Sequence, residues 1–302
     1  GSVGVTMAVT NMIADVLVRE GTAHHHQKFL ARLTNGQALT ASFCLTENSS
    51  GSDASALKTS AVKKGSKYIL SGEKIYVTNG AFSDFFLVMA KTSDEKSARA
   101  ISAFLIPRSS AGVVIGKEEE KMGLQGSSTI RMSFDSVEVP EEDRIAPEGD
   151  GFKVAMRALD GGRISVSSQA LGIAEASLEA GIQYAKEREA FGRPISDFQA
   201  IQWKIADSAT KLSAAEALIL RAAWMKDRKM PFTHQASQAK VFSTESAIQV
   251  CDDMIQVLGG YGYIREYPVE RFYRDVRVTT LYEGTSEIQR KVIARQLLGA
   301  SS

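Results

Sequence analysis

The sequence contains few of the residues that cross-link or anchor a protein, with 2 cysteines, 6 prolines and 4 histidines among 302 residues. Two cysteines are too few for a disulfide framework and suit a reducing compartment. The formal net charge of +1 argues against a nucleic-acid-binding surface. Apolar runs are short, and the run Phe85 to Ala90 has only the length of a buried strand, so no membrane span is predicted.

The rest of the composition is that of a globular protein. Hydrophobic residues make up 44% and charged residues 24%, and the chain is long enough for two domains. A chain of this length buries roughly 75% of its unfolded surface, so it needs no disulfide or metal to fold. His24, His25 and His26 are consecutive, and on a helix they point in three directions. They are therefore predicted to be exposed and not to form a metal site.

The first part of the chain changes from helical to β-rich spacing. Val5, Val9, Met12 and Val16 recur at helical intervals and predict an amphipathic helix. Between residues 39 and 134, short β-rich runs follow one another without helices between them, which favours an antiparallel barrel or sandwich. The runs lie at 68–70, 75–78, 85–89, 101–106, 112–115 and 130–134, with a turn predicted at 71–73.

After the Gly149 to Gly151 break, the pattern is helical to the end of the chain and predicts a helical bundle. Ser196 and Gln199 have the spacing of a capping box, which places a helix start at Ser196. The predicted helices cover 152–158, 163–188, 196–227, 233–258 and 285–298.

Glu283 has the sequence setting of a catalytic base. It lies between Tyr282 and Gly284, just before a helix for which Thr285 is the predicted N-cap. The helix dipole favours a carboxylate there, and Gly284 lets a ligand approach the backbone closely. A Glu near a helix start, taken alone, is more often a dipole-stabilising surface residue, so the rest of the chain must decide.

The glycine-rich segment near residue 260 does not predict a nucleotide fold of the usual kinds. Gly259, Gly260 and Gly262 lack the spacing of a G-x-G-x-x-G motif, and the sequence has no P-loop. Taken alone, these glycines predict a helix C-cap and turn about as well as a cofactor site.

Six ordered stretches are distributed along the sequence: FCLTE and GSD within 43–53, KIYVTNG at 74–80, DGGR at 160–163, REAFG at 188–192, QVLGG at 256–260 and LYEGTSEIQR at 281–290. In this order they resemble the motifs of the acyl-CoA dehydrogenase family, and the resemblance covers nearly the whole chain. It is nearest to the short-chain, butyryl-CoA type.

The resemblance implies an α+β multidomain fold. A partial N-terminal helical domain is expected at 1–37, a central antiparallel β-barrel or sandwich domain at 38–147, and a C-terminal four-helix bundle at 148–302. The implied assembly is a homotetramer, a dimer of dimers. The implied location is the bacterial cytoplasm or the mitochondrial matrix.

The resemblance also implies the chemistry. The family dehydrogenates acyl-CoA thioesters with FAD in fatty-acid β-oxidation, and its electrons pass to electron-transfer flavoprotein. Glu283 would remove the α-proton. An organic redox cofactor is required because no side chain accepts a hydride reversibly, and the resemblance implies that this cofactor is FAD. Gly162 stands where some branches carry the base, so a straight-chain substrate is favoured. Alternatives are a flavoprotein oxidase, which would release hydrogen peroxide, and a non-catalytic subunit that keeps the fold.

Two sets of contact residues follow from the resemblance, and neither includes a metal ligand. Arginine suits the diphosphate of FAD because its fork binds bidentately. The expected FAD contacts are Phe43, Leu45, Thr46, Ser52, Tyr76, Val77, Thr78, Arg188, Phe191, Gln199, Gln256, Gly259, Gly260, Thr285 and Glu287. The expected acyl-CoA contacts are Ser52, Asp160, Arg163, Tyr282 and Gly284.

Overall fold

The computed structural model describes residues 1–95 and 97–299. Residue contacts divide them into two units. The sheet unit comprises residues 2–121 and 125–159, and the helical unit comprises residue 1, residues 122–124 and the chain from Asp160 onward.

The sheet unit begins with helices and continues with eight strands. Helix α1 spans Ser2–Glu20, and the short helices α2 (Ala23–His25) and α3 (Ala31–Thr34) flank a π-helical turn at His26–Leu30. The strands are β1 (Ala41–Cys44), β2 (Ser60–Lys64), β3 (Lys67–Thr78), β4 (Phe85–Lys91), β5 (Ile101–Pro107), β6 (Val113–Glu118), β7 (Thr129–Pro140) and β8 (Arg144–Ile145).

The sheet is mixed and open, so the prediction of an antiparallel barrel or sandwich is wrong in these respects. The strand order is β6-β7-β3-β2-β4-β5-β8, with β1 beside β4. Strand β4 pairs in parallel with β1 and with the start of β2, and the other pairings are antiparallel. A parallel pair needs a long crossover connection. Here the β2–β3 hairpin supplies it in place of a helix. Within the described residues, the end strands β6 and β8 do not close the sheet into a barrel.

Strand β3 runs through the turn that the sequence predicts at 71–73. It continues from Lys67 to Thr78, and a bulge between Leu70 and Gly72 takes up the irregularity. A Cβ atom at Gly72 would lie 2.4 Å from Thr59 Oγ1, so the glycine allows neighbouring backbone to pass closely rather than ending the strand.

The sheet unit has an apolar core on each face of β4. Phe85, Leu87 and Met89 belong to one core cluster, together with side chains of α1 and of residues 154–158. Phe86 and Val88 belong to a second cluster on the other face. Because both faces are covered, β4 reads as a continuous hydrophobic run rather than an alternating one.

Helix α1 modifies one prediction and confirms another. Val5, Val9, Met12 and Val16 are buried, as their helical spacing predicts. The helix is also long and apolar enough to cross a membrane, with a mean hydropathy of 1.3. The prediction of no membrane span therefore does not follow from length and composition alone. A core helix of a soluble protein passes the same test.

The histidine triplet is less exposed than predicted. His25 is buried, and its Nδ1 accepts a hydrogen bond from the Thr22 N–H at 3.0 Å. His24 Nε2 lies 2.8 Å from Asp143 Oδ1, and Lys28 Nζ donates to the same carboxylate. The expectation of exposure is wrong for His25, which is 1% exposed and packs inward with its ring held by Thr22.

The helical unit is formed mainly by long helices. Residues of α4, α5, α6 and α7 share one core cluster. Two short strands, β9 (Glu189–Ala190) and β10 (Arg193–Pro194), form a hairpin between α4 and α5. The helices are α4 (Gly151–Glu187), which belongs to this unit from Asp160 onward, α5 (Gln199–Asp227), α6 (Thr233–Leu258), α7 (Val269–Val276) and α8 (Ser286–Leu298).

Two predicted helix boundaries are wrong. The segments 152–158 and 163–188 form the single helix α4, which continues through Gly161 and Gly162. Helix α5 begins at Gln199 after a 3₁₀ turn at Ile195–Asp197, and its N-cap is Phe198 without a side-chain hydrogen bond. The 3₁₀ turn shifts the start by three residues, so Ser196 and Gln199 do not form a capping box.

Candidate active site

The loop before α8 carries Glu283 in an unusual backbone conformation. Glu283 has φ 55° and Gly284 has φ 88°. The left-handed region is costly for a residue with a Cβ, and such residues concentrate at functional sites. Thr285 Oγ1 accepts the Ile288 N–H at 3.4 Å, which confirms Thr285 as the N-cap of α8. The cap fixes the chain immediately after the strained pair.

Side chains from two helices hold the carbonyls of this loop. Gln289 Nε2 donates to Glu283 O at 3.1 Å and to Gly284 O at 2.8 Å. Lys240 Nζ, from α6, donates to Gly284 O at 2.8 Å. Both donors belong to side chains that are 0% exposed. The loop is therefore anchored from the interior of the helical unit.

The Glu283 carboxylate is desolvated and partly unpaired. Its Oε2 is buried and has no hydrogen-bond partner within residues 1–95 and 97–299. Burial raises the pKa of Glu283 to about 7, while the positive charges of Arg163 and Lys240 act to lower it. A carboxylate with a pKa near neutrality exchanges a proton efficiently at physiological pH. Orphaned buried oxygens of this kind are typical of functional sites.

Asp160 and Arg163, both predicted as acyl-CoA contacts, are engaged with each other on α4. Arg163 Nη1 donates to Asp160 Oδ1 at 2.6 Å and to Ser237 Oγ at 3.3 Å. Thr233 Oγ1 donates to Asp160 Oδ2 at 2.6 Å. Burial raises the pKa of Asp160, opposed by Arg163 and by the Thr233 hydroxyl. The pair joins α4 to α6 and places a guanidinium near Glu283.

Tyr282 completes the surroundings of the carboxylate. Its hydroxyl donates a hydrogen bond to Gln169 Oε1 on α4. Burial, with a further contribution from the Glu283 charge, raises the pKa of Tyr282, so the phenol stays protonated. The structure thus brings Tyr282, Glu283, Gly284 and Arg163 together, four of the residues that the sequence singled out.

A separate cavity of about 460 Å³ lies in the helical unit and is lined by three of the predicted FAD contacts, Arg188, Gly259 and Gly260. Gly259, with φ 59°, ends α6, and a Cβ at Gly259 or Gly260 would meet no heavy atom within 4 Å in the described chain. The Arg188 guanidinium lies 5.6 Å from the centroid of the Tyr261 ring. Bare backbone, a guanidinium and aromatic side chains suit a diphosphate joined to a flat ring. The cavity is lined by Tyr184, Arg188, Ile195, Val257, Leu258, Gly259, Gly260, Tyr261 and Ile264.

The remaining predicted FAD contacts of the helical unit lie at its surface or at helix starts. Phe191 is 96% exposed on the β9–β10 hairpin, with φ 54°. Gln199 is the first residue of α5, and Gln256 is exposed near the end of α6. Glu287 is exposed, and its pKa is lowered by a hydrogen bond with Thr285. An aromatic ring this exposed is a candidate contact for a ligand or a second chain.

The two predicted flavin motifs of the sheet unit meet in space. The Ile75 N–H donates to Thr46 O at 2.9 Å, which joins the loop after β1 to β3. Tyr76 is 62% exposed and has φ 55°, beside a bulge between Lys74 and Val77. Ser52 is exposed on the following loop. Of the other predicted contacts, Leu45 and Val77 are buried, and Phe43, Thr46 and Thr78 are half-buried.

A buried ion pair that the sequence did not predict supports these motifs. Lys74 Nζ, 0% exposed, donates to Glu47 Oε1 at 2.7 Å and to Leu45 O at 3.1 Å. Burial alone would raise the pKa of Glu47, but Lys74 and hydrogen bonds from Thr59 and Lys58 hold it below its usual value. Burial lowers the pKa of Lys74, and Glu47 opposes this change. Both residues stand inside the quoted motifs, but their pairing requires the fold.

Lys240 was also missed by the sequence reasoning. It lies on the buried face of α6, with Ala236 one turn before it and Thr244 one turn after it. A lysine on an apolar helix face is rare unless it is paired, and that spacing is the signal that could have identified it.

A desolvated carboxylate of near-neutral pKa and a cavity suited to a diphosphate are components of a cofactor-dependent oxidoreductase. The comparisons with known proteins agree. Family models of the acyl-CoA dehydrogenase middle domain and C-terminal domain match residues 42–137 and 149–298. The chain belongs to the acyl-CoA dehydrogenase family, and it is an FAD-dependent oxidoreductase of acyl-CoA thioesters.

Three similar proteins show how far the likeness extends. The mitochondrial short-chain specific acyl-CoA dehydrogenase of Mus musculus is 44% identical over 298 residues, covering 98% of this chain and 72% of the relative. The butyryl-CoA dehydrogenase structure from Megasphaera elsdenii is 41% identical, with a TM-score of 0.97, covering 98% of this chain and 78% of that one. A structure described as the electron transferring flavoprotein of Acidaminococcus fermentans is 45% identical, with a TM-score of 0.97, covering 99% and 79%.

Proposed function

We propose that Glu283 is the base that removes the α-proton of a short- to medium-chain, straight-chain acyl-CoA thioester. The observation that carries this proposal is the buried, unpaired Oε2 of a carboxylate whose pKa burial raises to about 7. Such a group is partly ionised at neutral pH and is a stronger base than an exposed glutamate. FAD, when bound, supplies the acceptor for the β-hydrogen, which no side chain can provide.

The surrounding residues would bind and orient the thioester. The positive charges of Arg163 and Lys240 act on Glu283 and keep part of it ionised. Gly284 exposes backbone beside the carboxylate, and a bound thioester that excludes water would strengthen the base further. Ser52, Asp160 and Tyr282 remain proposed substrate contacts.

Each unit, taken by itself, has residues that fit a part of FAD. In the helical unit, Arg188 would bind the diphosphate, with Gly259 and Gly260 giving it access to the backbone. Phe191, Gln199, Gln256, Thr285 and Glu287 are proposed further contacts. In the sheet unit, the joined segments at 43–46 and 76–78 offer backbone groups and two threonine hydroxyls for a ring.

Finer points of assembly and organisation are also proposed. We infer that the helical unit is a four-helix bundle and that the chain divides at residues 37 and 147. Electron-transfer flavoprotein is the proposed electron acceptor, supported by the similarity to the Acidaminococcus fermentans structure. A homotetramer and a location in the bacterial cytoplasm or mitochondrial matrix are inferred from the family likeness.

The test is the visible spectrum of the purified protein mixed with butyryl-CoA. The wild-type flavin should bleach, whereas Glu283→Gln should hold FAD but lose at least ~10²-fold in turnover. Glu216→Gln, at an exposed site on α5, is the matched control and should behave as wild type. Near-normal turnover in Glu283→Gln would refute the base assignment.

Two alternative functions have distinct signatures. A flavoprotein oxidase would release hydrogen peroxide rapidly with oxygen as the only acceptor. A non-catalytic subunit would be colourless or would fail to bleach with any acyl-CoA. The buried, unpaired Oε2 of Glu283 favours the dehydrogenase over the non-catalytic subunit.

A further inference from the structure

Two consecutive residues with positive φ form the turn that carries the proposed base. Glu283 has a Cβ and still adopts φ 55°, and Gly284 follows with φ 88°. A conformation of this kind persists only when its surroundings enforce it. Here the enforcing groups are side-chain donors to the two carbonyls, Gln289 Nε2 to both and Lys240 Nζ to Gly284 O.

Lys240 is fully buried, and the hydrogen-bond acceptor of its ammonium group is a backbone carbonyl. Its side chain is 0% exposed in the middle of α6, yet its Nζ donates to a backbone carbonyl 44 residues further along the chain. Buried lysines are rare and usually pair with a carboxylate. Its contact joins the middle of a long helix to the loop of the base, so a shift of Lys240 would be transmitted to Gly284.

We propose that Lys240 is a positioning residue for Glu283. Its hydrogen bond to the Gly284 carbonyl fixes the turn, and the turn fixes the position of the Glu283 carboxylate. The proposal rests on the proposed function of Glu283 as the base. Gln289 Nε2 donates to the same carbonyl as Lys240, and a Cβ at Gly284 would lie only 2.7 Å from this nitrogen. The turn is thus closely packed as well as hydrogen-bonded.

The charge of Lys240 gives the contact a second effect. Arg163 of α4 and Lys240 of α6 both act to lower the pKa of Glu283 against the larger effect of burial. The groups that act on Lys240 are Glu283, Arg163, Glu245 and Glu287. Removing the Lys240 charge should therefore raise the pH at which Glu283 ionises.

The experiment compares three variants of the FAD-loaded enzyme with butyryl-CoA as substrate. Lys240→Met keeps the length and removes donor and charge, Lys240→Gln keeps a donor without charge, and Lys240→Arg keeps the charge. In Lys240→Met we expect kcat to fall about 10²-fold with little change in KM, the size expected when a reacting group is misplaced by about 1 Å. The midpoint of the pH profile of kcat should move upward.

The other two variants separate position from charge. Lys240→Gln should recover part of kcat while keeping the raised midpoint, and Lys240→Arg should restore the midpoint. Thr244→Val is the control, because Thr244 Oγ1 donates to the Lys240 carbonyl at 2.7 Å and is equally buried. It should lower stability without moving the midpoint.

The results distinguish the proposal from the function on which it rests. An active Glu283→Gln enzyme would overturn the base assignment itself. An inactive Glu283→Gln beside a Lys240→Met enzyme of wild-type kcat and midpoint would overturn only the positioning role. If Lys240→Met and Lys240→Gln both lose FAD and the fold, the role of Lys240 is structural alone and the proposal is wrong.

Discussion

Lys240 and Glu283 each oppose the effect of burial on the other. Burial raises the pKa of Glu283 to about 7 and lowers the pKa of Lys240 to about 8. Each charge acts in the reverse direction on its neighbour, since Lys240 lowers the pKa of Glu283 and Glu283 raises that of Lys240. Both groups therefore titrate near neutral pH. We therefore expect the activity and the stability of the protein to depend on pH in this range.

The first prediction concerns the pH dependence of turnover. Glu283 must be ionised to accept a proton, so kcat/KM, which reports ionisation in the substrate-free enzyme, should rise with pH through a midpoint near 7, the value to which burial raises its pKa. Steady-state kcat/KM with butyryl-CoA, measured from pH 5 to pH 9, checks this. A midpoint close to the ordinary value for glutamate, near 4.5, would show that the carboxylate is solvated in the working enzyme.

The second prediction concerns stability. A glutamate whose folded-state pKa is raised from 4.5 to about 7 destabilises the fold progressively as pH rises from 4.5 to 7, because the folded state binds the proton more tightly than the unfolded chain. A shift of this size corresponds to about 3 kcal/mol.

Glu283→Gln should therefore be more stable than wild type by about 1–2 kcal/mol at pH 8, after allowing for the cost of burying an amide. Near pH 4.5 the ionisation penalty is gone and only the cost of the amide remains, so the variant should there be less stable than wild type. Urea unfolding of both proteins without substrate at several pH values measures the difference. An equal difference at all pH values would mean that the effect comes from packing and not from ionisation.

The third prediction concerns the buried pair of Glu47 and Lys74. Lys74→Met should lower the free energy of unfolding by about 3–5 kcal/mol, because it leaves a buried carboxylate without its counter-charge. The double variant Glu47→Gln with Lys74→Met should recover much of that loss. Lys117→Met, at a highly exposed ion pair with Glu120, is the control and should cost less than about 1 kcal/mol.

The fourth prediction concerns the cavity beside the end of α6. Arg188→Met should weaken FAD binding by about 10- to 100-fold, the range expected for losing a charged hydrogen bond to a phosphate. Arg188→Lys keeps the charge but not the bidentate fork, and its loss should be intermediate. Titration of the apoprotein with FAD, followed by flavin fluorescence, gives the dissociation constants. Unchanged affinity in Arg188→Met would remove Arg188 from the cofactor site.

The candidate site shows what local sequence could predict. Glu283, Gly284 and Thr285 were identified because an N-cap and a glycine beside a carboxylate are local signals. Lys240 was missed because its partner is a backbone carbonyl 44 residues away, which no spacing rule relates to it. Lys74 and Glu47 were likewise read as parts of separate motifs, and only the pairing of loop and strand shows that they neutralise each other.

The fold shows the same limit. Helix α6 was predicted with its exact bounds because its periodicity is strong. The parallel pairing of β1 with β4 was missed. The segment between them forms the β2–β3 hairpin, and a hairpin predicts antiparallel rather than parallel pairing of the neighbouring strands. The sequence predicts a turn at 71–73 because glycine is common in turns. Gly72 is in fact required by its close contact with Thr59, which lies just before β2 and cannot be inferred from the local sequence.

Strand β4 has one further consequence for folding. In a strand with one solvent-exposed face, the alternation of polar and apolar residues fixes the register, since a one-residue slip would bury the polar side chains. A one-residue slip of β4 would instead replace Phe85, Leu87 and Met89 on one face of the sheet by Phe86, Val88 and Ala90. Both sets are hydrophobic. Only the shapes of the side chains tell the two alignments apart. Replacing Ala90 by a larger residue should therefore favour chains in which β4 is misaligned after refolding, even when the larger side chain is hydrophobic.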